Sequence, residues 1–317
     1  MNKFIKDIGV FGVLLALLLF VAMFITKLTV QNRVSYNIDQ RTSSIVLGHS
    51  HSECAFNDER IPGLENLSIS GEAYFYTYTK LKEVVSSNEN VDLVFIEFTN
   101  NQISESINDW VWKEKYLSYH YAIHGAFIDW RDKLLILKNN PRGYIANLPV
   151  VFKSMLKSAL KGENIPSVYG GYTALEGDLL DYEKRDPKEG ENKEDFVISN
   201  GKISEIQLNY LDKIISFLRE KNIQMCLIRS PEHESYSGLE NEDTYQDLLK
   251  NRFADVLFLD LKDFPLGKTH FRDPEHLNST GANIVSDWLG NLLGQDQFFN
   301  AEKKHWTFKE LEENYNN

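Results

Sequence analysis

Hydrophobic and polar positions change period several times along this chain. Residues 8–25 are an unbroken apolar run of 18 residues, bounded by Lys3, Lys6 and Lys27. As a helix the run spans about 27 Å, close to the roughly 30 Å hydrocarbon core of a bilayer. No small-x-small cleavage site follows it in Thr26-Lys-Leu-Thr-Val-Gln, so residues 1–30 are expected to be an uncleaved anchor. Lys3 and Lys6 nearly balance Lys27 and Arg33. The mass of polar chain after the run favours the N-terminus inside and the folded part on the extracytoplasmic side.

After a polar connector (31–42), short apolar runs at 43–47, 66–70, 91–98, 223–228 and 254–260 each end in Gly, Asn, Arg or Asp and read as strands. Between them apolar positions recur at helical spacing, as in Ile206, Leu208, Leu211, Ile214, Ile215 and Leu218 of a helix expected over 203–221. Strands separated by helices predict an α/β fold, a three-layer α/β/α arrangement on a mostly parallel sheet, over residues 43–297. Residues 102–200 form an insertion, mostly helical and rich in Trp and Tyr, suited to core packing, sugar stacking or a bilayer interface. Within it 178–194 is charged and reads as a solvated loop. Residues 298–317 read as a polar tail.

Composition adds limits. The 317 residues are 42% hydrophobic and 25% charged, enough for a full core. A net charge of −12 argues against nucleic acid or an acidic lipid surface as the main partner. Cys54 and Cys226 each sit in an apolar pattern and read as buried thiols. No Cys/His spacing marks a metal site, and no cofactor is expected.

Chemistry enters near the C-terminus, where Asp273-Pro-Glu-His276 places a carboxylate three residues before an imidazole on a loop, with Asn278 positioned to cap the next helix. An Asp that orients a His, and a His that takes a proton, are what a hydroxyl nucleophile needs. Reactive loops of parallel sheets lie at the carboxyl ends of the strands. Ser50, Gly71, Asn100, Arg229 and the Asp273/His276 pair all follow expected strands.

This ordered set resembles the SGNH (GDSL-like) hydrolase superfamily, in which Ser, Gly and Asn follow the first three strands and Asp-x-x-His lies near the C-terminus. The resemblance covers roughly residues 43–294. It implies Ser50 as nucleophile, His276 as general base and acid, Asp273 as its orienter, and Ser50, Gly71 and Asn100 as oxyanion donors. Ser52 is the alternative nucleophile and Asn101 the alternative amide. His49 stands where the family has Asp, and the third block reads Thr99-Asn100-Asn101 instead of Gly-x-Asn-Asp. His49, Asn101, Arg229 and His233 are expected to bind substrate; His51 also flanks the Ser. With its anchor, the chain looks most like the branch holding alginate O-acetylation and lipoteichoic-acid D-alanylation proteins. That branch implies an O-acyl (acetyl) transferase or esterase acting on envelope polysaccharide or another glycan, served by a membrane acyl-delivery partner. The alternative is a scaffold or glycan-binding component that keeps the fold without turnover.

Overall fold

The computed structural model describes residues 2–33, 36–161, 170–184, 201–294 and 302–315. The apolar run lies within α1 (Asn2–Arg33), the one helix among the described residues long and apolar enough to cross a membrane. The chain then forms β1 (Ser44–Leu47), α2 (Ser50–Ala55), β2 (Leu64–Asn66), α3 (Tyr74–Ser87) and β3 (Leu93–Glu97). Next come α4 (Asn108–Trp112), α5 (Glu114–His124), α6 (Trp130–Asn139) and α7 (Pro141–Lys161). The rest is α8 (Leu179–Glu183), α9 (Glu205–Glu220), β4 (Gln224–Arg229), α10 (Glu242–Asn251), β5 (Leu257–Asp260), α11 (Ser279–Leu293), β6 (His305–Thr307) and α12 (Phe308–Tyr315).

The strands make one sheet in the order β2-β1-β3-β4-β5-β6, and every neighbouring pair is parallel. Parallel pairing requires a crossover between strands, which α3 and α9 supply. Residues of β1 and β3 are buried throughout, as expected of strands covered on both faces. Val46, Phe95, Cys226, Ile228 and Leu259 pack with Ala282, Val285 and Leu289 of α11 on one face. The alternate residues Ile45, Leu47, Val94, Ile96 and Leu227 are equally buried and point to the other face. There α9 packs on β4, and Phe75 of α3 meets Tyr210 of α9 with ring centroids 5.0 Å apart. Both cysteines are buried and unbridged.

Two elements differ from their expected positions. The second strand ends at Asn66 instead of starting there, although the chain stays beside β1 through Leu67 N–H to Val46 O (2.8 Å) and Ile69 N–H to Gly48 O (3.1 Å). In the stretch read as a polar tail, His305–Thr307 adds the sixth strand and buries Trp306. Three residues with one apolar side chain are too short to show a period, so pairing with β5 decides this strand. Residues 185–194 of the charged stretch lie outside the described residues.

The chain forms two compact units. One joins residues 1–36 with 112–168, so helices of the insertion belong with α1; the other, residues 37–111 and 169–317, holds the sheet. In the sheet unit the chain leaves β1 toward β2 on one side while β3 lies on the other. This divergence opens a crevice at the carboxyl ends of β1 and β3.

Candidate active site

The turn after β1 is built by a carboxylate from β3. Glu97 ends β3, and its Oε2 accepts the N–H groups of His49 (2.8 Å) and Ser52 (3.3 Å). Gly48 lets the two strands come this close: a Cβ there would lie 2.3 Å from Glu97 Oε2 and 2.5 Å from Glu97 Cβ. The first N–H groups of a helix have no intrahelical acceptor. In α2, those of His51 and Ser52 go to His49 Nδ1 (3.3 Å) and Glu97 Oε2, which leaves that of Ser50 without an acceptor among the described residues. Burial pushes the Glu97 carboxyl up to about 8, so it holds its proton near neutrality.

The second segment forms its own tight loop. Asp273 Oδ1 accepts the N–H groups of Glu275 (2.9 Å) and His276 (3.0 Å), and the Arg272 N–H reaches His276 O (2.8 Å). Asn278 caps α11 through the N–H groups of Thr280 and Gly281, as its position predicted. The loop turns the His276 ring so that Nδ1 faces Asp273 Oδ1 at 2.9 Å and Oδ2 at 3.1 Å. His276 Nε2 then lies 2.8 Å from Ser50 Oγ. Burial opposes a proton on His276, but the hydrogen bond and charge of Asp273, with Glu275 beyond, outweigh it and raise its pKa above the usual 6.5. Burial likewise works to raise the pKa of Asp273, and the hydrogen bond from His276 reverses the sign, so that it stays a carboxylate.

The two amides after β3 have different partners. Asn100 is fully buried and bonded at both ends of its amide: Nδ2 donates to Asn241 Oδ1 and Glu242 Oε2 (both 2.9 Å), and Oδ1 accepts from Arg229 Nη2 (2.6 Å). Asn101 has the free amide. Its Oδ1 takes His49 Nε2 (2.9 Å) and the Thr99 hydroxyl (2.5 Å), which leaves Nδ2 as a buried donor with no partner among the described residues. Because His49 Nδ1 accepts a backbone N–H, its proton is on Nε2. His49 is therefore buried between the Ser50 turn and Asn101, and holds the amide. Gly71 has φ 72°, the left-handed region that glycine adopts without cost, two residues past the contact of Ile69 with Gly48.

Arg229, expected to bind substrate, is enclosed by protein groups. It is 0% exposed, bonded to Asn100, Glu232 and Glu242, and stacked 4.8 Å over the Tyr245 ring, so it ties the ends of β3 and β4 to α10. His233 supports the Asp273 loop, its N–H donating to Pro274 O (3.1 Å), and lines a cavity of about 570 Å³. Glu232, Leu239, Lys262, Phe264 and Lys268 also line that cavity; Ser50 and His276 do not.

Sequence reasoning missed the carboxylates around His51. This ring is buried, edge-on to His276 (5.3 Å) and His49 (4.7 Å), and neither nitrogen makes a hydrogen bond among the described residues. Glu97 Oε1 and Glu232 Oε1 lie 3.9 Å from Nδ1, and Glu275 Oε2 lies 3.6 Å from Nε2. Burial keeps His51 neutral by lowering its pKa. The signal available was a Glu closing an otherwise apolar strand and two Glu-His neighbours in separate loops. Folding also brings His49, His51 and Glu97, and His51, Glu275 and His276, close enough to offer three metal ligands each.

The fold is thus a doubly wound parallel α/β sheet with a Ser-His-Asp array at its carboxyl rim. The model of an uncharacterised family matches residues 188–298, which take in Asp273 and His276 and stop short of Ser50. No curated protein matches the chain by sequence. A solved structure from Streptococcus pneumonia, provisionally named a platelet activating factor, is similar over 90% of this chain and 99% of its own, at 13% identity and a TM-score of 0.42.

Proposed function

We propose that this chain is a membrane-anchored, SGNH-type serine O-acyl(acetyl)transferase or esterase acting on cell-envelope glycans. The observation that carries the reading is the unbroken line from Ser50 Oγ through His276 to Asp273, at 2.8 and 2.9 Å. His276 Nε2 takes the Ser50 proton as Oγ attacks the acyl carbonyl carbon. The Oγ–C bond forms, the carbonyl π pair moves to oxygen, and Asp273 steadies the imidazolium through Nδ1–H. The N–H groups of Ser50 and Gly71 and the Asn101 amide are the donors for that oxyanion. Collapse expels the donor oxygen, which takes the proton from His276 and leaves acyl-Ser50. A sugar hydroxyl or water, deprotonated by His276, then attacks the acyl-enzyme and restores Ser50. Transfer and hydrolysis differ only in that second nucleophile.

The α1 helix supports a membrane anchor, and the resemblance to envelope O-acylation proteins supports an extracytoplasmic domain with a membrane partner that delivers the acyl group. A fluorophosphonate probe on the detergent-solubilised chain tests the chemistry. Ser50 is expected to label and Ser50→Ala to lose the label; wild-type protein that stays unlabelled while folded favours the scaffold reading.

A further inference from the structure

We propose that the exposed face of α6 and α7 is a platform that lies on anionic phospholipid headgroups beside α1. Taken over the whole chain, a net charge of −12 argues against such a surface, but the charge is segregated. Residues 130–161 hold seven Lys or Arg against Asp132 alone, a net of +6. On α7, Ile145, Leu156 and Leu160 are exposed, 60%, 40% and 75% respectively. At 100° per residue these three fall within about 60° of one another. Lys153, Lys157 and Lys161 follow round the same exposed side. On α6, Trp130 and Leu134 are 67% and 51% exposed, one turn apart, beside exposed Arg131 and Lys138. An apolar strip bordered by basic residues, with a Trp, suits a helix lying in an anionic interface, its apolar side in the acyl boundary and its cations on phosphates.

Position within this unit agrees. Beyond the apolar run, Thr26 and Val30 are buried against protein. Gln31 Nε2 donates to Ala126 O (3.1 Å) and Arg33 Nη1 to Ala159 O (2.8 Å) at the end of α7. Residues 26–33 rise only about 12 Å, so these helices are fastened close to the membrane edge. Lys133 of α6 is near enough to feel the charge of Lys27, two residues past the run.

The inference rests on α1 being a membrane span. The test uses the full chain in nanodiscs of phosphatidylglycerol or phosphatidylcholine. Cys54 and Cys226 are buried, so Leu156→Cys gives one reactive surface thiol for a bimane label, with Leu160→Cys as a second position. Quenching is read with a nitroxide on the upper acyl chain and with aqueous iodide. In phosphatidylglycerol the lipid quencher is expected to dominate, and Lys153→Gln with Lys157→Gln should weaken the association about fivefold per lysine. A label equally open to iodide in both lipids, on a chain still incorporated, overturns the platform and leaves the span. Equal lipid quenching in both overturns the requirement for anionic headgroups. A chain that fails to incorporate overturns the span and the platform with it.

Discussion

His49 Nε2 lies 2.9 Å from Asn101 Oδ1, so the residue beside Ser50 fixes which end of the Asn101 amide is free. With Thr99 on the same oxygen, Nδ2 has no competing partner among the described residues. The order Thr99-Asn100-Asn101 is explained by what each amide touches: the first binds Arg229, the second serves the Ser50 turn.

Asn101→Ala should therefore slow fluorophosphonate labelling about 10²–10³-fold, the usual cost of one oxyanion donor, with little change in thermal midpoint. Asn100→Ala should lower stability by about 1–3 kcal/mol, because it strips a partner from buried Arg229. Labelling rates and melting curves of both variants check this; the reverse pattern would return the role to Asn100.

The labelling rate of the wild type should rise with pH as His276 loses its proton, with a midpoint above 6.5, since Asp273 raises its pKa. Asp273→Asn removes the charge and should move that midpoint down. It should also lower the rate, by up to about 10⁴-fold, because the Asn can hold the wrong tautomer. A pH–rate profile of both proteins decides; an unmoved midpoint would mean that Asp273 does not act through His276.

Glu97 predicts how stability depends on pH. Its folded carboxyl keeps a proton up to about 8, while the unfolded group releases it near the ordinary 4.5. Between those values the folded state binds more protons, so this group's contribution to stability falls as pH rises. Glu97→Gln keeps an oxygen for the His49 and Ser52 N–H groups and removes the titration. Its thermal midpoint should gain on the wild type from pH 5 to pH 8, and parallel curves would refute the assignment.

Lys80 and Glu72 form a fully buried pair at 2.5 Å, and Lys80 Nζ also donates to Leu67 O (2.5 Å), beside the segment leading to Gly71. Lys80→Met should cost about 3–5 kcal/mol by removing the cation that faces a buried carboxyl, and adding Glu72→Gln should recover much of that. Denaturant unfolding of the single and double variants gives the coupling directly.

Features that depend on local period and local geometry were legible in the residue order. The long apolar helix follows from 18 consecutive apolar residues. The four longer strands, β1, β3, β4 and β5, follow from apolar runs, and the Asp273–His276 loop from a three-residue spacing that closes on its own backbone. The Ser50 turn was legible as a strand meeting a helix. The remaining features depend on contacts between segments far apart in the chain. Adjacent asparagines alternate in direction, so the choice between Asn100 and Asn101 depends on what faces each of them, namely Arg229 and His49. Arg229 reads as a binding residue until its carboxylate partners arrive from α10 and its own loop. β6 exists because β5 offers an open edge, and the carboxylates round His51 come from three segments far apart in the chain. A one-dimensional pattern carries periodicity and short-range hydrogen bonding; burial and charge pairing across distant segments are set only when the sheet brings their ends to one rim.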